Sequence, residues 1–402
     1  MAYNKAMMLF KTERSDKRIL ATALLTLACF SAAIVAWPAA NAQQPLATPS
    51  AQEYRVYFPG LTQHGPLFRA FLPLYVAGTS GTFPPLSFAD ASGLFLHQRP
   101  GFVTRVGEGL QLDRRPYTFV GINVSYLAGP FFPEGKTEEI ISFLAAAGVQ
   151  VIRVWVKPGC ALDRVERMLD LGGRYGIRFI LTLQDFYGKE DGWWFKEKYK
   201  TVDLPHIRKI VPRFAHRPEI VMWELMNEPT CPPNDANRAC WDALYNWAKA
   251  TSEEVKRLDS NHLVSLGTHR AGLDRAAVDS FLRIHALPTV DVISMHHGVG
   301  QVPEEELSIA HELGKPIYWG EATMRGLKED CQPISPDRLE QRALAVGEAI
   351  ERNKEAGVDG YLLWQYAYGG VDMGSHTQYY CGVFDYFADD PVWEVIRRAT
   401  GE

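Results

Sequence analysis

The chain has 402 residues with 47% hydrophobic and 12% aromatic side chains, enough for a large core with rings left over for a cleft, which excludes a mainly disordered protein. Its formal net charge is -5, and taking away residues 1-42 leaves 37 basic against 45 acidic side chains, a net of -8, which makes nucleic acid a poor partner.

The first 42 residues run from a Lys/Arg-rich stretch (Lys5, Lys11, Arg14, Lys17, Arg18) through an apolar run, Ile19 to Trp37, to Ala40-Asn41-Ala42. That order predicts a signal peptide cut after Ala42 and a secreted or periplasmic protein. The alternative is a retained anchor that keeps the rest outside the membrane.

Residues 43-100 are rich in Pro, Gly, Ser and Thr and read as an extended segment. It carries a fourteen-residue echo, Arg55-Val-Tyr-Phe-Pro59 and Arg69-Ala-Phe-Leu-Pro73, as two edge strands could.

From Tyr117 onward short apolar runs alternate with helical patterns, the signature of a parallel sheet with crossover helices. Eight runs are predicted as strands: Thr118-Asn123, Val151-Val156, Arg178-Gln184, Ile220-Met226, Leu263-Gly267, Val292-His296, Ile317-Glu321 and Gly360-Tyr366. Helices are expected at 138-147, 162-175, 236-258 and 337-356, the last with Ser335 as N-cap, and near 392-399. The fold class is therefore α/β, a (β/α)8 TIM barrel filling residues 101-402 behind the extended N-terminal segment.

The loops after the strands build the site in such a barrel, so carboxylates at strand ends are the candidates. The fourth run ends in Asn227-Glu228 before Pro229, and the seventh closes at Gly320-Glu321. Two carboxyl groups across one cleft suit cleavage of a glycosidic bond. His296 or His297, ending the sixth run, offers a substrate-site histidine. Trp155, Trp193, Trp194, Trp364 and Tyr366 are sugar-platform candidates, whereas Trp223 sits inside a strand and reads as core. Gln184, Asp185 and Asp191 could bind hydroxyls or cap a turn.

Five cysteines follow residue 42, so one must stay unpaired; the expected bridges are Cys231 with Cys240 and Cys331 with Cys381. No Cys-x-x-Cys spacing occurs, and neither a metal nor another cofactor is expected.

The segments FVGIN at 119-123, IRVW at 152-155, WELMNEP at 223-229, GKPIYWGE at 314-321 and LLWQY at 362-366 together resemble glycoside hydrolase family 5, in its β-mannanase-like branch. The resemblance implies a retaining enzyme in which Glu228 is the acid/base and Glu321 the nucleophile. It further implies that Arg153 supports the nucleophile, Asn227 binds the sugar 2-hydroxyl and Trp364 stacks beneath the scissile sugar. Arg153 could instead form a structural ion pair with Glu224. Burial and repulsion from Glu321 are expected to raise the Glu228 pKa. The family's tyrosine two positions after the sixth-strand histidine is Gly298 here, with Tyr318, Tyr366 or Tyr368 as possible substitutes.

The expected protein is thus a monomeric endo-β-1,4-mannanase acting on a β-linked polysaccharide or oligosaccharide. The alternatives are an endo-β-glucanase or exo-acting β-glycosidase of the same family, or a cell-surface sugar-binding barrel without turnover.

Overall fold

A computed structural model describes residues 101-129, 132-186, 193-231, 238-269, 275-298, 302-324, 335-368 and 385-401. The predicted leader, the extended segment with its fourteen-residue echo, and the Cys331 and Cys381 pair lie outside them. Among the described residues no helix is long and apolar enough to cross a membrane.

The chain enters through an antiparallel sheet of β1 (Val103–Val106), β2 (Gly109–Leu112) and β3 (Arg115–Pro116). The eight barrel strands follow: β4 (Phe119–Asn123), β5 (Val151–Trp155), β6 (Arg178–Thr182), β7 (Ile220–Glu224), β8 (Leu263–Ser265), β9 (Ile293–Gly298), β10 (Ile317–Thr323) and β11 (Gly360–Trp364). All pair in parallel in the order β8-β7-β6-β5-β4-β11-β10-β9, and a parallel bridge between Ser265 and Val292 joins the two ends into a barrel. Every residue of β4 and of β7 is buried, as strands covered on both faces require.

Helices α1 (Thr137–Ala146), α2 (Leu162–Tyr175), α3 (Asp203–Phe214), α4 (Arg238–Leu258), α5 (Arg275–His285), α6 (Glu304–Leu313), α7 (Pro336–Glu355) and α8 (Val392–Thr400) cover the outside. Their apolar stripes pack on the strands in one large core. Helix α2 stops at Gly176, whose φ of 76° closes a left-handed cap that a side chain would oppose. Ser335 holds the N-cap position of α7 before Pro336, but its hydroxyl makes no capping bond.

A second core fills the barrel's lower half, where Val103 and Leu110 plug the strand N-termini against Phe119, Val151, Met222 and Leu362. Asp359 fastens this plug, accepting the Leu110 N–H at 3.2 Å and the Ile317 N–H at 3.3 Å. The upper half of the barrel is thereby left for polar side chains.

Candidate active site

Where the apolar layer ends, β4, β5 and β7 deliver Asn123, Arg153 and Glu224 into the barrel interior, each 0 to 1% exposed. Arg153 uses all five of its N–H donors. Nε and Nη2 donate to Glu224 Oε1 at 2.8 and 2.6 Å, Nη2 to Asn227 Oδ1 at 2.8 Å, and Nη1 to Asn123 Oδ1 at 2.9 Å and Glu321 Oε1 at 2.6 Å. The two expectations for Arg153, an ion pair with Glu224 and contact with Glu321, therefore both hold. Asn123 also donates to the Gly320 carbonyl at 2.8 Å and the Leu363 carbonyl at 3.1 Å, tying β4 to both strands on its far side.

Beyond Glu224 the chain leaves the ladder two residues earlier than the periodicity predicts. Leu225 and Glu228 donate backbone N–H groups to the Ser265 and Gly267 carbonyls at 3.0 and 2.8 Å. Glu228 takes a φ of 50°, an uncommon conformation for a side-chain-bearing residue, which the Gly267 bond helps hold. Gly267 has no room for a Cβ, which would stand 2.0 Å from the Met226 carbonyl oxygen. The Cys231–Cys240 disulfide, the first of the two expected bridges, ties this loop to the start of α4, and Cys160 is free.

Glu321, on β10, faces Glu228 across His296 of β9. His296 Nδ1 lies 3.0 Å from Glu228 Oε1 and 3.6 Å from Glu321 Oε1. One oxygen of each carboxyl and a ring nitrogen of His296 fall within 4.8 Å of one another. The ring's Nε2 is buried without a partner beside Gly320, where an added Cβ would sit 2.5 Å away. Gly320 is thus explained by the imidazole packed on it. The trio has the spacing of a metal-ligand set, but the fixed positive charge of Arg153, 2.6 Å from Glu321, opposes a cation there.

The electrostatics of the free site differ from expectation in one respect. Burial pushes Glu228 up, but the hydrogen bond and charge of His296, with Arg153 behind, bring it down to about 2. Burial lifts Glu321 well above the usual carboxylate range; Arg153 offsets part of this and the charge of Glu228 adds to it. The shift of Glu228 thus runs opposite to the expected one. The sequence reading had the opposite sign because nothing in it placed His296 on Glu228. His296 itself is lowered by burial and then by Arg153.

Trp155 and Trp364 meet edge to face at the ends of β5 and β11, with ring centroids 5.4 Å apart and planes at 78°. The Arg153 guanidinium lies 5.4 Å from the Trp155 ring. Asp185 accepts the Asn227 amide at 3.3 Å and faces Lys157 at 3.4 Å, so it stands at the same cleft. Gln184 donates to Asp203 at 3.0 Å instead of projecting outward, and Asp191 lies outside the described residues.

Tyr366 is a correction. It is 4% exposed and packs outward against Phe143 of α1 and Trp393 of α8, the direction of alternate strand residues, so it is no sugar platform. Trp194 is likewise engaged, donating to Asp203 at 2.9 Å, while Trp193 is 52% exposed. Trp223 is core, as expected. The tyrosines named as substitutes at Gly298 are engaged elsewhere: Tyr318 gives its hydroxyl to Glu224 at 2.5 Å, Tyr368 gives its own to Glu139 at 3.1 Å, and Tyr366 faces the helices. Asn123 and Gly267 were not named from sequence as members of the site, although a polar or glycine position closing an apolar run was the available signal; Tyr318 was named, but not as a partner of Glu224. A cavity of about 110 Å³ beside Phe119, Asn353 and Gly360 opens at the strand N-termini, away from these carboxyls.

Residues 174–302 match the family model described as GH family 5 beta-mannosidase-like. A probable mannan endo-1,4-beta-mannosidase A of Aspergillus oryzae is 26% identical, covering 71% of this chain and 86% of that one. The mannan endo-1,4-beta-mannosidase A of Aspergillus aculeatus is 24% identical over 69% of this chain and 86% of its own. Among solved structures, the endo-1,4-beta-mannanase of Rhizomucor miehei superposes with a TM-score of 0.58 at 18% identity, covering 75% of this chain and all of that one. With paired carboxyls at the strand ends of such a barrel, the chain is an O-glycosyl hydrolase. Over residues 174–302 it is similar to the mannosidase-like branch of glycoside hydrolase family 5, and the two Aspergillus relatives are named as mannan-cleaving enzymes.

Proposed function

We propose that the protein is a retaining endo-β-1,4-mannanase. In the first step an oxygen of Glu321 bonds to the anomeric carbon while the glycosidic C–O bond breaks and Glu228 gives its proton to the leaving oxygen. In the second, Glu228 takes a proton from water, the water oxygen bonds to the anomeric carbon, and the Glu321 ester is released. The observation that carries this reading is the approach of Glu228 and Glu321 to within 4.8 Å, on the short side of the separation that distinguishes retention from inversion.

Arg153 steadies the ionised nucleophile, Asn227 presents its amide to the 2-hydroxyl, Trp364 and Trp155 form the floor, and Asp185 orients Asn227. His296 faces both carboxyls, 3.0 Å from Glu228 and 3.6 Å from Glu321. The substrate class follows from the mannan-named relatives and from the WELMNEP segment running into Cys231. Residues 1-42 act as an export leader, 43-100 as an extended segment and 101-402 as a monomeric catalytic domain; export suits a polymer substrate and a disulfide.

The test uses a Glu321→Gly variant with an activated aryl glycoside. Its turnover is expected to fall by about 10⁴-fold or more, with azide restoring it and giving the inverted glycosyl azide. Undiminished turnover would remove Glu321 from the mechanism. Product profiles on mannan, β-glucan and xylan decide the polymer, internal cuts in mannan being the expected result and release of single sugars from chain ends the opposing one. Purified extracellular protein beginning at Gln43 is expected if the leader is cut.

A further inference from the structure

Among the described residues, Glu224, Glu228 and Glu321 bring three carboxyls around Arg153 and His296, and the reaction proposed above uses two of them. The third, Glu224, is fully buried at the end of β7. Its Oε1 accepts from Arg153 Nε at 2.8 Å, Arg153 Nη2 at 2.6 Å and Thr182 Oγ1 at 2.8 Å. Its Oε2 accepts from the Tyr318 hydroxyl at 2.5 Å, which also lies 3.2 Å from Ser265 Oγ. Side chains from β5, β6 and β10 therefore hold this carboxylate directly, and β8 steadies it through Tyr318.

A guanidinium moves as one rigid plane, so anchoring Nε and Nη2 on Glu224 decides where Nη1 points. That direction is Glu321, 2.6 Å away. A buried ion pair is a poor device for stability alone, since apolar residues of similar volume often do as well or better. Here one cation is shared between two carboxyls, each 2.6 Å from it.

We propose that Glu224 is a positioning residue for the nucleophile. It aims the Arg153 fork at Glu321 and absorbs part of its charge, so that Glu321 stays a reactive carboxylate instead of being closed into an ion pair. The charged and titratable groups facing Glu321 are Arg153 from β5, Glu224 and Glu228 from β7 and its loop, and His296 from β9; Tyr318, on the same strand, turns its hydroxyl to Glu224. Removing the Glu224 charge leaves the full field of Arg153 on Glu321, which lowers both its proton affinity and its nucleophilicity.

This proposal rests on reading Glu321 as the nucleophile, and azide rescue of Glu321→Gly tests that reading separately. For Glu224 the variants are Glu224→Gln and Tyr318→Phe, assayed on the wild type's best substrate, with folding followed by near-UV circular dichroism. Glu224→Gln is expected to lower kcat at least ~30-fold with KM within about twofold, and to move the acidic limb of the kcat/KM profile down by about one pH unit. Tyr318→Phe keeps the charge but frees it from its hydroxyl partner, so that limb is expected to move up by a few tenths of a unit. If folded Glu224→Gln keeps wild-type kcat and an unmoved limb, or loses activity only as folded protein is lost, the proposal is overturned. If Glu224→Gln does not fold, Tyr318→Phe decides, and an unmoved limb overturns the proposal.

Discussion

At the scale of single residues, the site is governed by which charge neighbours which carboxyl. His296 brings Glu228 down to about 2 against the upward push of burial. In His296→Ala that restraint is gone while the burial remains, so Glu228 is expected to bind its proton more tightly. Because the two carboxyls titrate as a pair, the visible result is a descending limb of the pH–rate profile moved to higher pH, with kcat reduced about 10- to 100-fold. A profile with an unmoved limb would show that His296 does not control Glu228. Arg153 illustrates how far the sequence carries at this scale. The family resemblance implied a nucleophile-supporting cation at Arg153 in IRVW, while the alternative partner Glu224 was visible in WELMNEP. Only the fold reveals that one guanidinium serves both.

At the scale of elements, the turn after β7 has to hold Glu228 at a φ of 50°, and the disulfide from Cys231 to Cys240 closes a loop just beyond it. With a sequence separation of nine, loop-closure entropy gives the bridge about 2.5 kcal/mol. Cys240→Ser is expected to lower Tm by several degrees and to lower kcat more than KM, since the loop carries the acid/base. Calorimetry and steady-state kinetics check this; an unchanged Tm would mean the loop is held without the bridge. Strand identities and helix phases were legible because buried parallel strands are Val/Ile-rich and the covering helices are amphipathic. The exit of β7 after Glu224 instead of Met226 was not, because apolar residues continue past the point where Gly267 and Ser265 draw the backbone away.

At the scale of the whole molecule, the barrel has a chemical end and a structural end. Asp359 at the structural end is raised to about 6 by burial, partly offset by the N–H groups of Leu110 and Ile317. A carboxyl raised above its unfolded value of about 3.9 contributes most stability below about pH 4 and loses it as pH rises through 6. Asp385, also raised to about 6, works in the same sense. His285, buried and lowered to about 3, works in the opposite one, losing stability as pH falls below 6.5. Asp359→Asn is therefore expected to change the slope of Tm against pH between 4 and 6, by an amount equivalent to about 2 kcal/mol or less. Parallel curves for wild type and variant would show that Asp359 is not perturbed by its burial.

The barrel and the strands that end in Asn227-Glu228 and Glu321 were legible in the sequence, because periodicity and strand-end polarity are local properties of the chain, while the role of Arg153 followed from the family resemblance. The tertiary structure alone decided that Glu224 shares Arg153 with Glu321, that His296 sits between the two carboxyls against Gly320, and that Tyr366 turns away from the cleft. Each of these depends on residues 24 to 168 positions apart meeting inside a closed barrel, or on the face from which a side chain leaves the strand. Strand tilt and register set those meetings, and they are fixed only when all eight strands close together.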